Sequence, residues 1–393
     1  MTMSAYAQFL PLTGAVCHYP WGSRRQGRQR PYIAELLNRD DAALPWAELW
    51  LGAHPANPAV VGGLNTATGL DALCQQHPAE ILGRDAEPQF PFLLKILSCG
   101  QPLSIQCHPD SRDARRLHQE NPQLYRDANP KPETLVAVTE FRALAGFRPL
   151  PDITWELNRI TAFSPWQSLW QSDFPHDCRG LCQALFALPQ PARRSMLQAA
   201  NRELQTRSDD RSPAAGLFLQ LAAAAPDDPG AAFAFLLQEW RLQPGQALLL
   251  PPRQLHAYLH GTGIECMPPS DNVIRAGLTR KTVDLDNFWR CADFSASGLE
   301  LSRGRMLSPG RQSYPVPGSA IGLEILCDGE FTLHRPSGGP GILLLLSGRG
   351  ELCCPGAPAL PAPAGSAWLC PAQLLQGTFR TLVPGTLAVW ASV

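Results

Sequence analysis

Excess charge of one sign is missing from this 393-residue chain: 33 Lys+Arg stand against 34 Asp+Glu, a formal net charge of -1. No basic stripe or Arg-rich block runs along it, so neither nucleic acid nor an anionic membrane is an expected partner. An anionic ligand would have to be caught by a local pocket. Basic residues are also absent from the start, where none precedes Arg24. Pro11 interrupts the mildly apolar stretch 5–16, and Val16-Cys17 lacks the small residue of a cleavage site, so no secretion signal is expected. A long unbroken apolar run is lacking too. The most apolar stretch, Ala214 to Trp240, is broken by PDDPG and cannot span a bilayer. There are 12 cysteines but no CxxC pair, and most sit singly in apolar runs, as Cys99, Cys266, Cys327 and Cys370 do. They read as free buried thiols in a reducing cytoplasm rather than as disulfides or a zinc cluster. Cys353-Cys354, the one adjacent pair, suggests no role.

What is abundant is apolar material. Hydrophobic residues make up 45% and charged residues 17%, enough for a sizeable core and unlike a disordered chain. At roughly 150 residues per domain the length predicts two to three domains. Three textures divide it. From about 10 to 150, β-branched and aromatic runs such as FPFLLKIL and TLVAVTEFRALAGF alternate with Pro and Gly and read as strands. One helical patch, SRDARRLHQEN, is embedded there, with Asp110 or Ser111 as N-cap. From 152 to about 240, Ala-, Leu- and Gln-rich segments carry apolar residues at helical spacing and read as a helical module. From Gln243 onward strand texture returns. The 39 prolines and 32 glycines fit the many tight turns of antiparallel barrels or jelly rolls.

An internal echo sharpens the last zone. PGQALLLPP places Gly245 six positions before Pro251, and AGSAWLCPA repeats that offset at Gly365 and Pro371. A Gly turn, a short buried strand and a closing Pro at this offset are similar to the pattern of cupin-type barrels. His256 follows Pro251 by five positions, whereas Gln376 stands at the same place after Pro371. A second barrel built this way would lack that ligand.

Chemistry concentrates in four segments. In PLSIQCHPD, a strand over 104–108 would turn Ser104, Gln106 and His108 to one face and Ile105 and Cys107 to the other. In NPKPETLVAVTEF, Glu133 opens a buried strand, costly unless it is paired or metal-bound, and Lys131 is its natural ion-pair partner. In LPPRQLHAYLHGTGIECM, His256 and Tyr258 share a strand face that His260 continues. Glu265 follows a Gly-x-Gly turn between Ile264 and Cys266, where burial should raise its pKa toward that of a general base. In PPSDNVIRAGLTRKTVD, Asp271-Asn272 reads as a turn, with Arg275, Arg280 and Lys281 near it. That segment is either a solvated basic loop or a phosphate grip. Each signal alone has an ordinary structural reading. Together they offer two imidazoles, a carboxylate and an amide oxygen, a mixed N/O set suited to Zn²⁺ and tolerant of Mn²⁺, Co²⁺ or Fe²⁺. A neutral Gln in place of a third His leaves such a site open to water or substrate.

Five blocks, in order, resemble the type I mannose-6-phosphate isomerases: HYPWGS, AELWLGAHP, PLSIQCHPD, KPETLVAVTEFRALAGF and LPPRQLHAYLHGTGIECMPPSDNVIRAGLTRK. The resemblance spans Tyr19 to Lys281. It implies a mainly β protein with a cupin-type (jelly-roll) catalytic barrel over 1–151 and 243–300. An inserted helical domain over 152–242 and a degenerate cupin-like barrel without metal over 301–393 would complete it. It implies one Zn²⁺ per chain on Gln106, His108, Glu133 and His256, and a reaction interconverting mannose 6-phosphate and fructose 6-phosphate. The family's catalytic arginine falls on Arg275, with Lys281 placed to serve the substrate phosphate or the developing charge. Trp21, Glu48, His54, Ser104, Lys131, Tyr258, Glu265 and Asp271 fall on other pocket positions. Pro130, Pro268-Pro269 and the Arg in LTRK depart from the family pattern; the proline pair is expected to stiffen the pocket loop.

Aldose–ketose isomerisation needs a base to move a proton between adjacent carbons and a positive centre for the developing oxyanion. Glu265 is the first choice of base; His54, Lys131 and Asp271 remain candidates. Two other readings use the same fold. A non-catalytic sugar-phosphate-binding or regulatory protein would show no turnover, and a metal-dependent dioxygenase would take up oxygen and leave SDNVIR without a purpose. The expectation is a cytoplasmic, monomeric enzyme whose partner is a phosphorylated hexose.

Overall fold

The computed structural model describes residues 5–39, 41–64, 66–83, 87–207, 212–295 and 298–393. It is mainly β with several helices, and every strand pair is antiparallel. No helix among the described residues is long and apolar enough to cross a membrane.

One ten-stranded sheet is organised around the long strand His256–Met267. Its first half pairs with Phe141–Phe147, and His256 lies opposite Gln106 of the strand Ile105–Cys107. Its second half pairs with Leu93–Cys99 on one side and Glu133–Ala137 on the other. Strand Ile274–Gly277 adds to Ile105–Cys107, with Arg275 opposite Gln106. Period-two alternation then sorts the side chains. Leu255, Ala257, Leu259, Ile274, Ala276, Ile105 and Cys107 turn outward and are buried against the helices. Gln106, Tyr258 and Arg275 turn inward to a shared cavity.

Between the halves of the long strand the register shifts at Tyr258/His260, and Gly261 has φ +116. The sequence reading placed a Gly-x-Gly turn here. The chain instead runs straight through as one strand, with a bulge at the Tyr258/His260 register shift and Gly261 just beyond it. A Cβ on Gly261 would meet the Glu140 carbonyl at 2.4 Å. In consequence His260 does not continue the face of His256 and Tyr258; it is exposed and lines a different cavity.

The helical patch Ser111–Glu120 is capped by Asp110, whose carboxylate accepts from the Arg112 and Asp113 amides. Helices follow one another from Leu150–Asn158 to Phe233–Leu236, with Phe163, Trp166, Phe218 and Phe235 packed among them. The end of this run differs from expectation. Residues 237–242 are not helical but form a strand paired with Phe141–Phe147. Short helices at Tyr32–Leu36, Leu70–Gln76 and Pro78–Ile81 lie inside the zone read as strands.

The C-terminal residues build a nine-stranded and a four-stranded sheet. Three N-terminal strands belong to the larger of these. Leu10–Thr13 pairs with Ala367–Cys370, and Val60–Val61 and Thr68–Gly69 follow at the edge. The chain therefore does not divide by sequence position alone. Leu94, Ile96, Val136, Ile264 and Cys266 of the first sheet share one buried apolar cluster with Ile342, Leu344, Leu369 and Val389 of the second. The echo in the sequence is a local structural repeat: Gly245 and Gly365 have φ +81 and +82, preceding the short strands Ala247–Leu250 and Ala367–Cys370. Gln376 is exposed. All twelve cysteines are free, ten of them buried.

Candidate metal centre and substrate cavity

Glu133 is the centre of the site, 1% exposed at the start of its strand. Its Oε1 lies 3.2 Å from His108 Nε2 and 3.1 Å from Lys131 Nζ. Its Oε2 lies 3.4 Å from His256 Nε2 and accepts from the Tyr258 hydroxyl at 3.3 Å. The ligand atoms of His108, Glu133 and His256 all fall within 4.8 Å of one another. Both the ion pair with Lys131 and the clustering foreseen from the sequence are thus present at one carboxylate.

The backbone fixes both imidazoles. His108 Nδ1 is 2.7 Å from the Asn272 carbonyl and His256 Nδ1 is 2.9 Å from the Gln254 carbonyl. A carbonyl can only accept, so each Nδ1 carries the proton and each Nε2 presents a lone pair to Glu133. The buried Nε2 of His108 has no hydrogen-bond partner. Burial pushes this imidazole down to about 4, with Glu133 pulling upward and Lys131 reinforcing the fall. Burial also opposes charge on Glu133, but the His108 and Lys131 positions overcome it and hold the carboxyl well below its usual range. With His108 neutral above that range, Lys131 is the standing counter-charge. Two lone pairs and a carboxylate facing one another at such distances are mutually repulsive unless a cation lies among them. The donor set, two imidazoles and a carboxylate with backbone carbonyls orienting the rings, fits zinc.

Gln106 lies beside this group. Its Nε2 is 3.4 Å from His256 Nε2, and its Oε1 accepts from the Ser104 hydroxyl at 2.9 Å. A half turn of the amide exchanges donor for acceptor, and Ser104 can accept as readily as donate.

The cavity onto which Gln106 and Glu133 open has a volume of about 480 Å³. Trp21, Glu48, Ser104, Lys131, Tyr258, Glu265 and Asp271 line it together with Gln106 and Glu133, and Arg275, Arg280 and Lys281 form a basic side. Burial lowers the Arg275 and Lys281 pKa values, and for Lys281 the neighbouring Arg275 adds to the effect. His108 and His256, both buried, are not among the cavity's lining residues, and neither is His54. His54 Nε2 is bound to Asp271 Oδ1 at 3.0 Å, and His54 lines an adjoining cavity that shares Ser270 and Asp271 with this one.

Lys95 was missed. It is 6% exposed, with Nζ 3.0 Å from Glu265 Oε2 and 3.7 Å from Glu48 Oε1. Desolvation opposes its charge, but Glu265 and Glu48 raise its pKa on balance. Burial raises the Glu265 carboxyl while Lys95 pulls it down and Glu133 and Glu48 push it up. A lysine within FPFLLKIL was itself the signal, since an unpaired ammonium in a central strand is too costly to stand.

A profile described as "Phosphomannose isomerase type I, catalytic domain" matches residues 9–150. The chain is 31% identical to mannose-6-phosphate isomerase 1 of Arabidopsis thaliana, over 86% of this chain and 84% of that protein. It is 32% identical to mannose-6-phosphate isomerase of Ogataea parapolymorpha, over 93% of each. A crystal structure of zinc-bound mannose 6-phosphate isomerase superposes with a TM-score of 0.84 at 25% identity, covering 98% of this chain and 99% of that one.

Proposed function

The chain belongs to the type I phosphomannose isomerases, and from that membership we infer that the cavity around Glu133 interconverts mannose 6-phosphate and fructose 6-phosphate with zinc as cofactor. The observation that carries the reading is the convergence of two tautomer-fixed imidazole lone pairs on one buried carboxylate. His108, Glu133 and His256 would hold the zinc, with Gln106 as a fourth, neutral donor. When bound, the zinc supplies Lewis-acid polarisation of the substrate's oxygens.

The protein groups divide the remaining work. Arg275, Lys281 and Arg280 give the cavity forked and point-charge donors for a phosphate or a developing oxyanion. Tyr258 and Lys131 fix the Glu133 carboxylate from either side. Glu265 carries the proton between adjacent carbons: it faces the cavity, burial raises its pKa, and Lys95 holds its orientation. His54 acts through Asp271, and Ser104 through Gln106. Trp21 and Glu48 shape the far wall.

Cupin-type architecture is the reading that best fits the topology: a catalytic barrel over 1–151 and 243–300, a helical domain over 152–242 and a metal-free barrel over 301–393. The repeated Gly-strand-Pro unit and the inward ligand face support it, while the three N-terminal strands on the C-terminal sheet blur its first boundary. A cytoplasmic monomer that binds neither nucleic acid nor membrane fits the balanced charge.

A coupled assay on mannose 6-phosphate, before and after chelation and after zinc is returned, tests the function. Activity should vanish with chelation and return with zinc. Turnover that a chelator leaves intact would count against the metal centre, and no turnover in any state would count against the reaction.

A further inference from the structure

One continuous segment, 268–281, runs from behind the metal ligands to the basic side of the cavity. Two carboxylates that do not line the cavity hold its two ends, and they come from different parts of the fold.

Asp127 holds the first end. It lies between the helix Ser111–Glu120 and the strand Glu133–Ala137. Its Oδ1 accepts from Ser270 Oγ at 2.8 Å, Asn272 Nδ2 at 3.1 Å and its neighbour Asn129 N at 3.0 Å. Its Oδ2 accepts from Asp271 N at 2.8 Å, and its own carbonyl accepts from Asn272 Nδ2 at 2.8 Å. Asn272 is fully buried, and its backbone carbonyl is the acceptor of the His108 Nδ1 proton. A chain of hydrogen bonds therefore leads from Asp127 to a metal ligand's tautomer and ring angle.

Asp228 holds the other end from the helical module. Its Oδ1 accepts from Gly230 N at 2.7 Å and Leu278 N at 2.8 Å, and its Oδ2 from Thr279 N at 3.2 Å. Leu278 has φ +52, a left-handed conformation that a γ-branched residue keeps only when its surroundings impose it. The two backbones meet closely: a Cβ on Gly230 would stand 2.5 Å from Leu278 N. Thr279, Arg280 and Lys281 follow directly into the cavity wall.

We propose that Asp127 and Asp228 are positioning residues with separable tasks, Asp127 setting the His108 ligand and Asp228 setting the phosphate-gripping turn. The separation follows from connectivity, because Asp127 reaches His108 through Asn272 whereas, among the described contacts, the Asp228 carboxylate accepts only from the amides of 230, 278 and 279. The helical module is then part of substrate recognition, through one carboxylate.

This rests on the zinc-isomerase reading above, so wild-type zinc binding and turnover are measured alongside the variants and fail only if that reading fails. Asp127→Asn should weaken zinc, measured by competition with a chromophoric chelator, by about 10–100-fold, while KM at saturating zinc stays within about twofold. Asp228→Asn should do the reverse, raising KM for mannose 6-phosphate roughly tenfold with zinc affinity within about twofold. If either protein does not fold, Asp127→Glu and Asp228→Glu, which displace each carboxylate without removing it, test the same two arms. A wild type that passes both controls, with variants that shift both quantities together or with Asp127→Asn binding zinc normally, overturns the proposal.

Discussion

At the scale of single residues, the cavity is governed by buried charges that satisfy one another. Glu265 has Lys95 at 3.0 Å, and Glu133 has Lys131 at 3.1 Å. Glu265→Gln keeps the shape and removes the base, so kcat should fall by about 10²–10⁴ with zinc content unchanged. Undiminished turnover would remove Glu265 from the role. Lys95→Met strips Glu265 and Glu48 of their shared cation, and urea unfolding should show a loss of about 3–5 kcal/mol. The acid response of the zinc-free protein has a defined sign. His108 is held at about 4 against 6.5 for the unfolded chain, so the unfolded state binds protons first as pH falls. The stability this group contributes is complete above 6.5 and is lost on the way down to about 4. Glu133, held below 4.5, adds a loss in the same direction at lower pH. The Tm of zinc-free protein should therefore drop across that window, and less so in His108→Gln. At this scale the candidate site was largely legible in the sequence, because strand alternation places Gln106 with His108 and His256 with Tyr258. Lys95 and Asp127 were not read, since their importance lies in partners distant along the chain.

At the scale of elements, the long strand His256–Met267 serves two sets of neighbours, and the register shift at Tyr258/His260 followed by the positive-φ Gly261 marks the change between them. Gly261→Ala places a methyl against the Glu140 carbonyl at a φ that L-residues avoid. It should cost about 2–4 kcal/mol in denaturant unfolding and reduce activity, because Tyr258 sits at the edge of the register shift. A variant as stable and active as wild type would mean that Gly261 is dispensable. The helical module was legible from its 3.6-residue periodicity. Its last six residues, 237–242, were not, since LQEWRL suits either state and pairing with Phe141–Phe147 decides for the strand. Gly-Thr-Gly was read as a turn because a turn asks for the same positive-φ glycine that here follows the register shift.

At the scale of the whole molecule, the two large sheets share one apolar interface, and cross-links tie them. Tyr314 donates to the Gly245 carbonyl at 2.8 Å, and Thr134, next to the central Glu133, donates to the Pro315 carbonyl at 2.7 Å. His108, Glu133 and His256 are thus expected to unfold together with the C-terminal sheets. Zinc bound only by the folded state should stabilise both, by about 4 kcal/mol at a thousandfold excess over Kd. A calorimetric scan should then show the main transition moving up with zinc concentration and down on chelation. A transition indifferent to zinc would separate the site from the fold's cooperativity.

The amino-acid sequence by itself determined the chemistry available: which faces are apolar, which residues could bind a metal, and that the Pro371 repeat carries Gln376 where the first carries His256. Those properties follow from side-chain identity and short-range periodicity, which need no knowledge of distant neighbours. Only the tertiary structure decided which groups meet. It brought Leu10–Thr13 to the C-terminal sheet, moved His54 to the adjoining cavity, and set Lys95 between two carboxylates. It also joined Asp127 to His108 through Asn272. Such pairings depend on the packing of segments far apart in the chain, whose energies no local pattern encodes.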